Sequence, residues 1–208
     1  MVLKRVRGWL PWLKAAVWLG GLAPLAWLGW RVADADLGPN PVQTLEYFTG
    51  RWALRLLLVT LAMTPLRLAV GRPQPIQLRR LLGLWAYAYM CVHFSIYLTF
   101  DLEFSPAKLA DDLVKRAFIT AGFTCWLLLL PLAITSTQGW QRRLKRRWRV
   151  LHRLIYFAAG AAVLHYGWGV KKDRSWPLLY ATVLAALLLL RLPWKRWSRA
   201  ILRAQTIT

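Results

Sequence analysis

Acidic residues and histidines are both scarce in this 208-residue chain, which holds eight Asp and Glu against 29 Lys and Arg, three histidines and two cysteines. Cys91 and Cys125 fall inside apolar runs and read as small apolar packing residues. No Cys-x-x-Cys-His is present, which excludes covalent attachment of a c-type haem. No polar stretch is long enough to hold a Rossmann unit, a P-loop or a flavoprotein dehydrogenase domain. Nicotinamide chemistry would have to come from another protein. Low-complexity segments and convincing repeats are absent as well. Deep within the apolar runs there is no carboxylate and no nucleophile beside a base, so the histidines are not read as catalytic bases.

What is abundant is apolar sequence: 58% of residues are hydrophobic, although the formal charge is +21. A nucleic-acid binder would explain the charge but not the long runs. Runs able to span about 30 Å of hydrocarbon fall near 9–30, 52–70, 81–100, 117–134, 150–169 and 176–193. Six crossings place both termini on one side. In that arrangement 19 basic residues lie on the side of the termini and 8 on the other, with Lys14 and Arg55 inside spans. All eight acids fall in the far loops. Lys and Arg collect in cytoplasmic loops, so both ends are assigned to the cytoplasm. Lys4, Arg5 and Arg7 before the first run, with Ala33-Asp-Ala35 after it, raise the question of a cleaved signal peptide. The apolar run of about 22 residues exceeds a secretory core, so the first span is expected to be retained. The expectation is an all-α membrane protein, residues 1–208 forming a single integral membrane domain of six helices.

An ionisable side chain at membrane depth marks a functional site by default. If span three starts at Leu81, His93 is roughly 18 Å deep at 1.5 Å per residue. Span five enters from the same side near Val150, leaving His152 near the cytoplasmic boundary and His165 roughly 20 Å further on. His93 and His165 therefore reach a similar level in the outer half, as an axial pair for one haem between helices three and five requires. His152 has no histidine at its level. There the third span offers Arg79 and Arg80, poor iron ligands but good partners for propionates. An inner haem would have His152 on one side and water, an unusual ligand or nothing opposite. On an ideal helix His152 and His165 stand roughly 140° apart, so they call either for a local irregularity, for which Gly160 is the candidate, or for cofactors approached from different sides. Ala158 to Ala162 thin that helix, either to admit a flat ring or for close helix packing.

Arg51 and Arg55, one turn apart at the outer end of span two, suit outer-haem propionates or snorkel to headgroups. The basic loop Arg142, Arg143, Lys145, Arg146, Arg147 and Arg149 suits anionic lipid, and also an acidic donor protein or flavin phosphate. Many of the 14 tryptophans, among them Trp9, Trp12, Trp140, Trp148, Trp168, Trp176, Trp194 and Trp197, sit near span ends as interfacial anchors.

Several stretches together give the chain a resemblance. They are Gly38-Pro-Asn-Pro-Val, Thr49-Gly-Arg-Trp-Ala-Leu, Thr64-Pro-Leu-Arg67, Arg79-Arg-Leu-Leu-Gly-Leu leading to His93, Lys115-Arg-Ala-Phe-Ile-Thr-Ala-Gly, Pro131-Leu-Ala-Ile-Thr-Ser, and Leu151-His-Arg-Leu-Ile-Tyr through Leu164-His-Tyr. From about 37 to 190 the chain resembles the MsrQ (YedZ) family, within a ferric reductase-like transmembrane group that includes NADPH oxidases. The resemblance implies b-type haem and assigns ligand roles to His93, His152 and His165. It implies the bacterial inner membrane, and electron delivery to MsrP, a periplasmic molybdopterin reductase of methionine sulfoxide. The donor would be the quinone pool or a cytosolic flavin reductase, and FMN is ascribed to the family, though no motif places it. The wider group uses two histidine pairs, whereas the fourth position here is Arg79 or Arg80.

The expected function is therefore that of a non-catalytic electron-transfer subunit in lipid. It carries one haem on His93 and His165 and a second at His152, and does not bind nucleic acid. Two rivals stand beside it. A histidine-relay proton channel or transporter expects intramembrane carboxylates, which the deep spans lack. A cofactor-free assembly partner would use the histidines only to tie helices together.

Overall fold

The computed structural model describes residues 2–71, 73–171 and 173–191, with side chains from residue 9 onward. Every regular element among them is helical: α1 (Val2–Ala33), α2 (Pro41–Val70), α3 (Gln74–Phe100), α4 (Pro106–Lys115), α5 (Ala117–Ile134), α6 (Gln138–Leu144), α7 (Arg146–Leu151), α8 (Leu154–Gly169) and α9 (Ser175–Leu189). By length and composition α2, α3 and α5 are each able to cross a membrane. The chain is a multi-pass membrane protein.

Two antiparallel pairs form the bundle. α2 packs along α3, and α5 along α8; the pairs meet through α3 with α5 and α2 with α8. α1 leans on α3, and α9 closes against α8 and α2. Leu57, Leu61, Tyr89, Cys125, Ala158 and Ala159 form the dry centre. The α1 contact is aromatic. Trp18 meets Trp85 edge to face at 5.2 Å, the backbone of Gly21 lies against the Trp85 ring, and the Tyr89 hydroxyl donates to the Gly21 carbonyl at 2.8 Å.

The fourth expected run coincides with α5 in full. α2 starts eleven residues before its expected boundary, with Pro41 at its first turn, where a missing N–H costs nothing. Polar residues such as Gln43, Glu46 and Arg51 line an internal cavity there, so they do not end the helix. The fifth run is not one helix. The chain breaks at His152 and Arg153, between α7 and α8. An irregularity is therefore present, but at His152 and Arg153 rather than at Gly160, which is inside α8 with open space beside it. Ala158 and Ala159 are fully buried in helix packing, while Ala162 alone of that stretch borders the cavity.

Two short elements had no counterpart among the expected spans. α4 is capped by Ser105, whose hydroxyl accepts from the Lys108 amide at 3.4 Å, and starts on Pro106. Arg116, extended at φ −122°, turns the chain from α4 into α5. α6 is capped by Thr137. At the start of α9 the Ser175 amide donates to Asp173 at 2.9 Å, and the hydrogen bonds from Ser175 hold that carboxyl below its ordinary range.

α2 passes through Pro65, which has no N–H for the carbonyl four residues earlier, that of Leu61. A buried orphan carbonyl in a bilayer is costly. Here Arg191, at the end of α9, donates its Nη2 to the Leu61 carbonyl and its Nη1 to the Tyr156 hydroxyl at 2.6 Å. Expected features from 192 onward, including Trp194, Trp197 and the end of the sixth run, lie outside the described residues.

Candidate functional site

α2, α3, α5 and α8 enclose a cavity of about 290 Å³, near the lower end of the roughly 300–1,000 Å³ usual for small-molecule sites. Ala53, Leu54, Met90, Phe94, Cys125 and Ala162 make its interior largely apolar. Its polar groups include Gln43, Glu46, Tyr47, Arg51, Asp101 and Arg116.

His93 on α3 and His165 on α8 face each other across this space, with ring centroids 6.0 Å apart and planes at 73°. Each ring is held by the same device. His93 Nδ1 lies 3.0 Å from the Glu46 carbonyl, and His165 Nδ1 lies 2.6 Å from the Phe118 carbonyl. A carbonyl only accepts, so Nδ1 carries the proton in both rings and Nε2 keeps its lone pair. Four residues beyond each carbonyl comes a glycine. A Cβ at Gly50 would sit 3.2 Å from His93 Cε1, and one at Gly122 only 2.6 Å from His165 Nδ1. The α2/α3 and α5/α8 pairs thus repeat one motif: a helix carbonyl to orient the imidazole and a glycine one turn on to seat it. The sequence carried no repeat to reveal this. Its trace was present in Thr49-Gly-Arg and Thr120-Ala-Gly, stretches that carried the resemblance but had no role of their own.

The arrangement fits the haem that the resemblance implies. Two imidazole–metal bonds of about 2.0–2.1 Å each, plus the ring radii, come to about 6 Å between centroids. Among the described residues no group of three or more His, Cys, Asp or Glu could hold a metal ion. An iron already bound by four porphyrin nitrogens needs only two protein ligands. Trp126, on the same wall, has a buried Nε1–H without a partner. His93, His165 and Gly50, Gly122 would hold such a group, and Met90, Cys125 and Ala162 would border it.

The structure separates the other expected site residues. Arg51 borders the cavity, tethered by Nε to the Tyr47 carbonyl at 3.1 Å. Arg55 is turned away from it: Nε donates to the Tyr180 hydroxyl at 2.9 Å, and the guanidinium lies over Trp52. One turn apart on α2, the two arginines serve different neighbours. Arg116, unremarked in the sequence, lines the cavity instead.

His152 stands apart from the other two, at the junction of α7 and α8. Its Nε2 lies 3.1 Å from Thr135 Oγ1, whose own proton goes to the Pro131 carbonyl at 2.6 Å, so the imidazole is the donor. Trp148 stacks on the ring at 4.0 Å and donates to the Thr135 carbonyl. Arg79 is half-buried and acts electrostatically on His152, Arg191 and Tyr156; Arg80 is exposed. The inner histidine is therefore embedded in a cluster of donors and cations rather than paired with another imidazole.

Comparison with known proteins follows the same lines. Residues 49–163 match the family described as the ferric reductase like transmembrane component. A protein of Xanthomonas campestris pv. campestris (strain 8004) called protein-methionine-sulfoxide reductase heme-binding subunit MsrQ is 51% identical over 200 residues, 93% of this chain and 89% of that protein. The chain belongs to the MsrQ family. An MsrQ of Xanthomonas axonopodis pv. citri is 50% identical over the same 93% of the chain and 89% of its own length. The likeness extends to the MsrQ of Deinococcus radiodurans, 48% identical over 182 residues, covering 87% of this chain and 90% of that one. No solved structure matches. The wider ferric reductase match ends two residues before His165, while the MsrQ likeness spans nearly all of the chain.

Proposed function

We propose that this MsrQ-family chain is a six-span electron carrier of the bacterial inner membrane that holds a b-type haem between His93 and His165. It would pass electrons from a cytoplasmic donor, the quinone pool or a flavin reductase, to a periplasmic molybdopterin reductase of methionine sulfoxide of the MsrP type. The observation carrying this reading is the facing imidazole pair, 6.0 Å apart, with both Nδ1 atoms committed to backbone carbonyls.

When bound, the haem supplies one-electron chemistry by changing the oxidation state of its iron. The chain's own part is positional. Glu46 and Phe118 fix both rings in the Nε2-presenting tautomer, and Gly50 and Gly122 let them lie close against α2 and α5. The walls of Met90, Phe94, Cys125 and Ala162 would give the group an apolar surround, and an acceptor would dock on the side of Glu46 and Asp101. At the opposite end, Arg79, Arg191 and His152 make a basic inner region suited to an anionic donor or cofactor. A flavin or second haem would belong there, the haem requiring His152 to leave Thr135.

The topology proposed is N-in and C-in. Arg191 lies level with Leu61 and Tyr156, as expected if α9 ends on the same side as α2. The test is haem content and reduced-minus-oxidised absorbance of the detergent-solubilised protein. His93→Ala and His165→Ala should each lose most of the bound haem, and His152→Ala should keep the His93/His165 signal. Unchanged spectra in both outer variants would remove the central pair.

A further inference from the structure

We propose that Arg116 and Arg51, rather than Arg51 and Arg55, are the cations that receive the two carboxylates of the haem and so fix which edge of the ring faces the outer side. This rests on the haem reading above and specifies how that cofactor is oriented. Haem b is an apolar disc with two propionates on one edge, so a site that orients it needs cations on one side and none on the other. The cavity has that polarity: Met90, Cys125 and Ala162 line one part, while Arg51 and Arg116 line another.

Each arginine is tethered but incompletely satisfied. Asp112 takes Arg116 Nε at 3.2 Å and Nη1 at 3.4 Å, leaving Nη2 without a hydrogen bond among the described residues. Asp112 is itself pinned by the Tyr97 hydroxyl at 2.5 Å. Among the described residues Arg51 is hydrogen-bonded only through Nε, to the Tyr47 carbonyl, with neither terminal nitrogen engaged. The two come from different helix pairs, α2 and the α4–α5 corner, so they border one cavity only once the bundle has closed. Glu46 and Asp101 on the same rim act on each other electrostatically and take neither guanidinium in an ion pair among the described residues. Arg55, committed to Tyr180 and Trp52, is not a wall of the cavity. Guanidinium–carboxylate hydrogen bonds are charge-assisted and strong in a poorly hydrated site.

The experiment measures haem transfer from the purified full-length protein to excess apomyoglobin, together with the equilibrium midpoint potential. Arg116→Gln and Arg51→Gln should each release haem about 10-fold faster, as expected for one lost charge-assisted bond. Both potentials should fall, because a nearby positive charge favours the electron-rich state. Arg116→Lys should recover the potential more fully than the release rate. Arg55→Gln should leave both near wild type. Wild-type release and potential in Arg116→Gln, or a larger effect from Arg55→Gln, would overturn the assignment. A wild-type protein without haem would instead overturn the haem reading, and this assignment with it.

Discussion

At the scale of single residues, the two glycines under the imidazoles make the sharpest claim. The contact at Gly122 is too close for any Cβ, so Gly122→Ala must push the His165 ring off its carbonyl. At Gly50 the neighbour has to give by only a few tenths of an ångström. Gly122→Ala should therefore lose most of its haem, and Gly50→Ala no more than about half, measured as the haem-to-protein ratio after purification. The reverse order would show that the seats do not matter. The depth match of His93 and His165 was legible in the sequence because 1.5 Å per residue turns position into height. The glycine seats were not, because they exist only where α3 lies on α2 and α8 on α5. Arg55 and Arg116 exchange places for the same reason. Helical spacing put Arg55 beside Arg51, but the 116 position reaches the cavity through a turn that spacing does not encode.

At the scale of helices, a proline and a distant arginine form one unit. Arg191→Ala should leave the Leu61 carbonyl without a donor and destabilise the protein by about 1–3 kcal/mol. Pro65→Ala restores the missing N–H, so the double variant should be less sensitive to the loss of Arg191 than the parent. Thermal unfolding in detergent of the four members of that cycle measures the coupling. If the two effects simply add, the guanidinium is not serving the proline gap. Boundaries were legible where polarity changes with the lipid, as for α5, which begins after Arg116 and ends at Thr135. They were missed where polar residues face an interior cavity, as at the start of α2. The break at His152 was half legible. The wheel allowed either a discontinuity or cofactors approached from different sides, and the discontinuity found lies at the junction of α7 with α8 rather than at Gly160.

At the scale of the molecule, the charge pattern carries the proposed arrangement in the membrane. In the proposed N-in and C-in arrangement most basic residues fall on the cytoplasmic side and the acids on the other, Glu46 within α2 and Asp111 and Asp112 on α4. Single cysteines in a Cys91→Ala, Cys125→Ala background should be labelled by an impermeant reagent from the periplasm at position 108. At position 146 they should be labelled only after the membrane is breached. The opposite pattern would invert the path of electrons. The all-helical, multi-pass character was legible because apolar runs of membrane length are long signals, and α2, α3 and α5 each supply one. The way the helices pair off was not, since neither pair carries a recognisable repeat in its sequence.

The clasp of Arg191 on Leu61 bears on how the protein is made. Synthesis delivers α2 early and Arg191 only after α9, so the gap at Pro65 waits through most of translation for its donor. A chain interrupted before Arg191 would lack the donor that satisfies the Leu61 carbonyl, so truncation there would leave α2 with an unpaired acceptor beside the bundle centre.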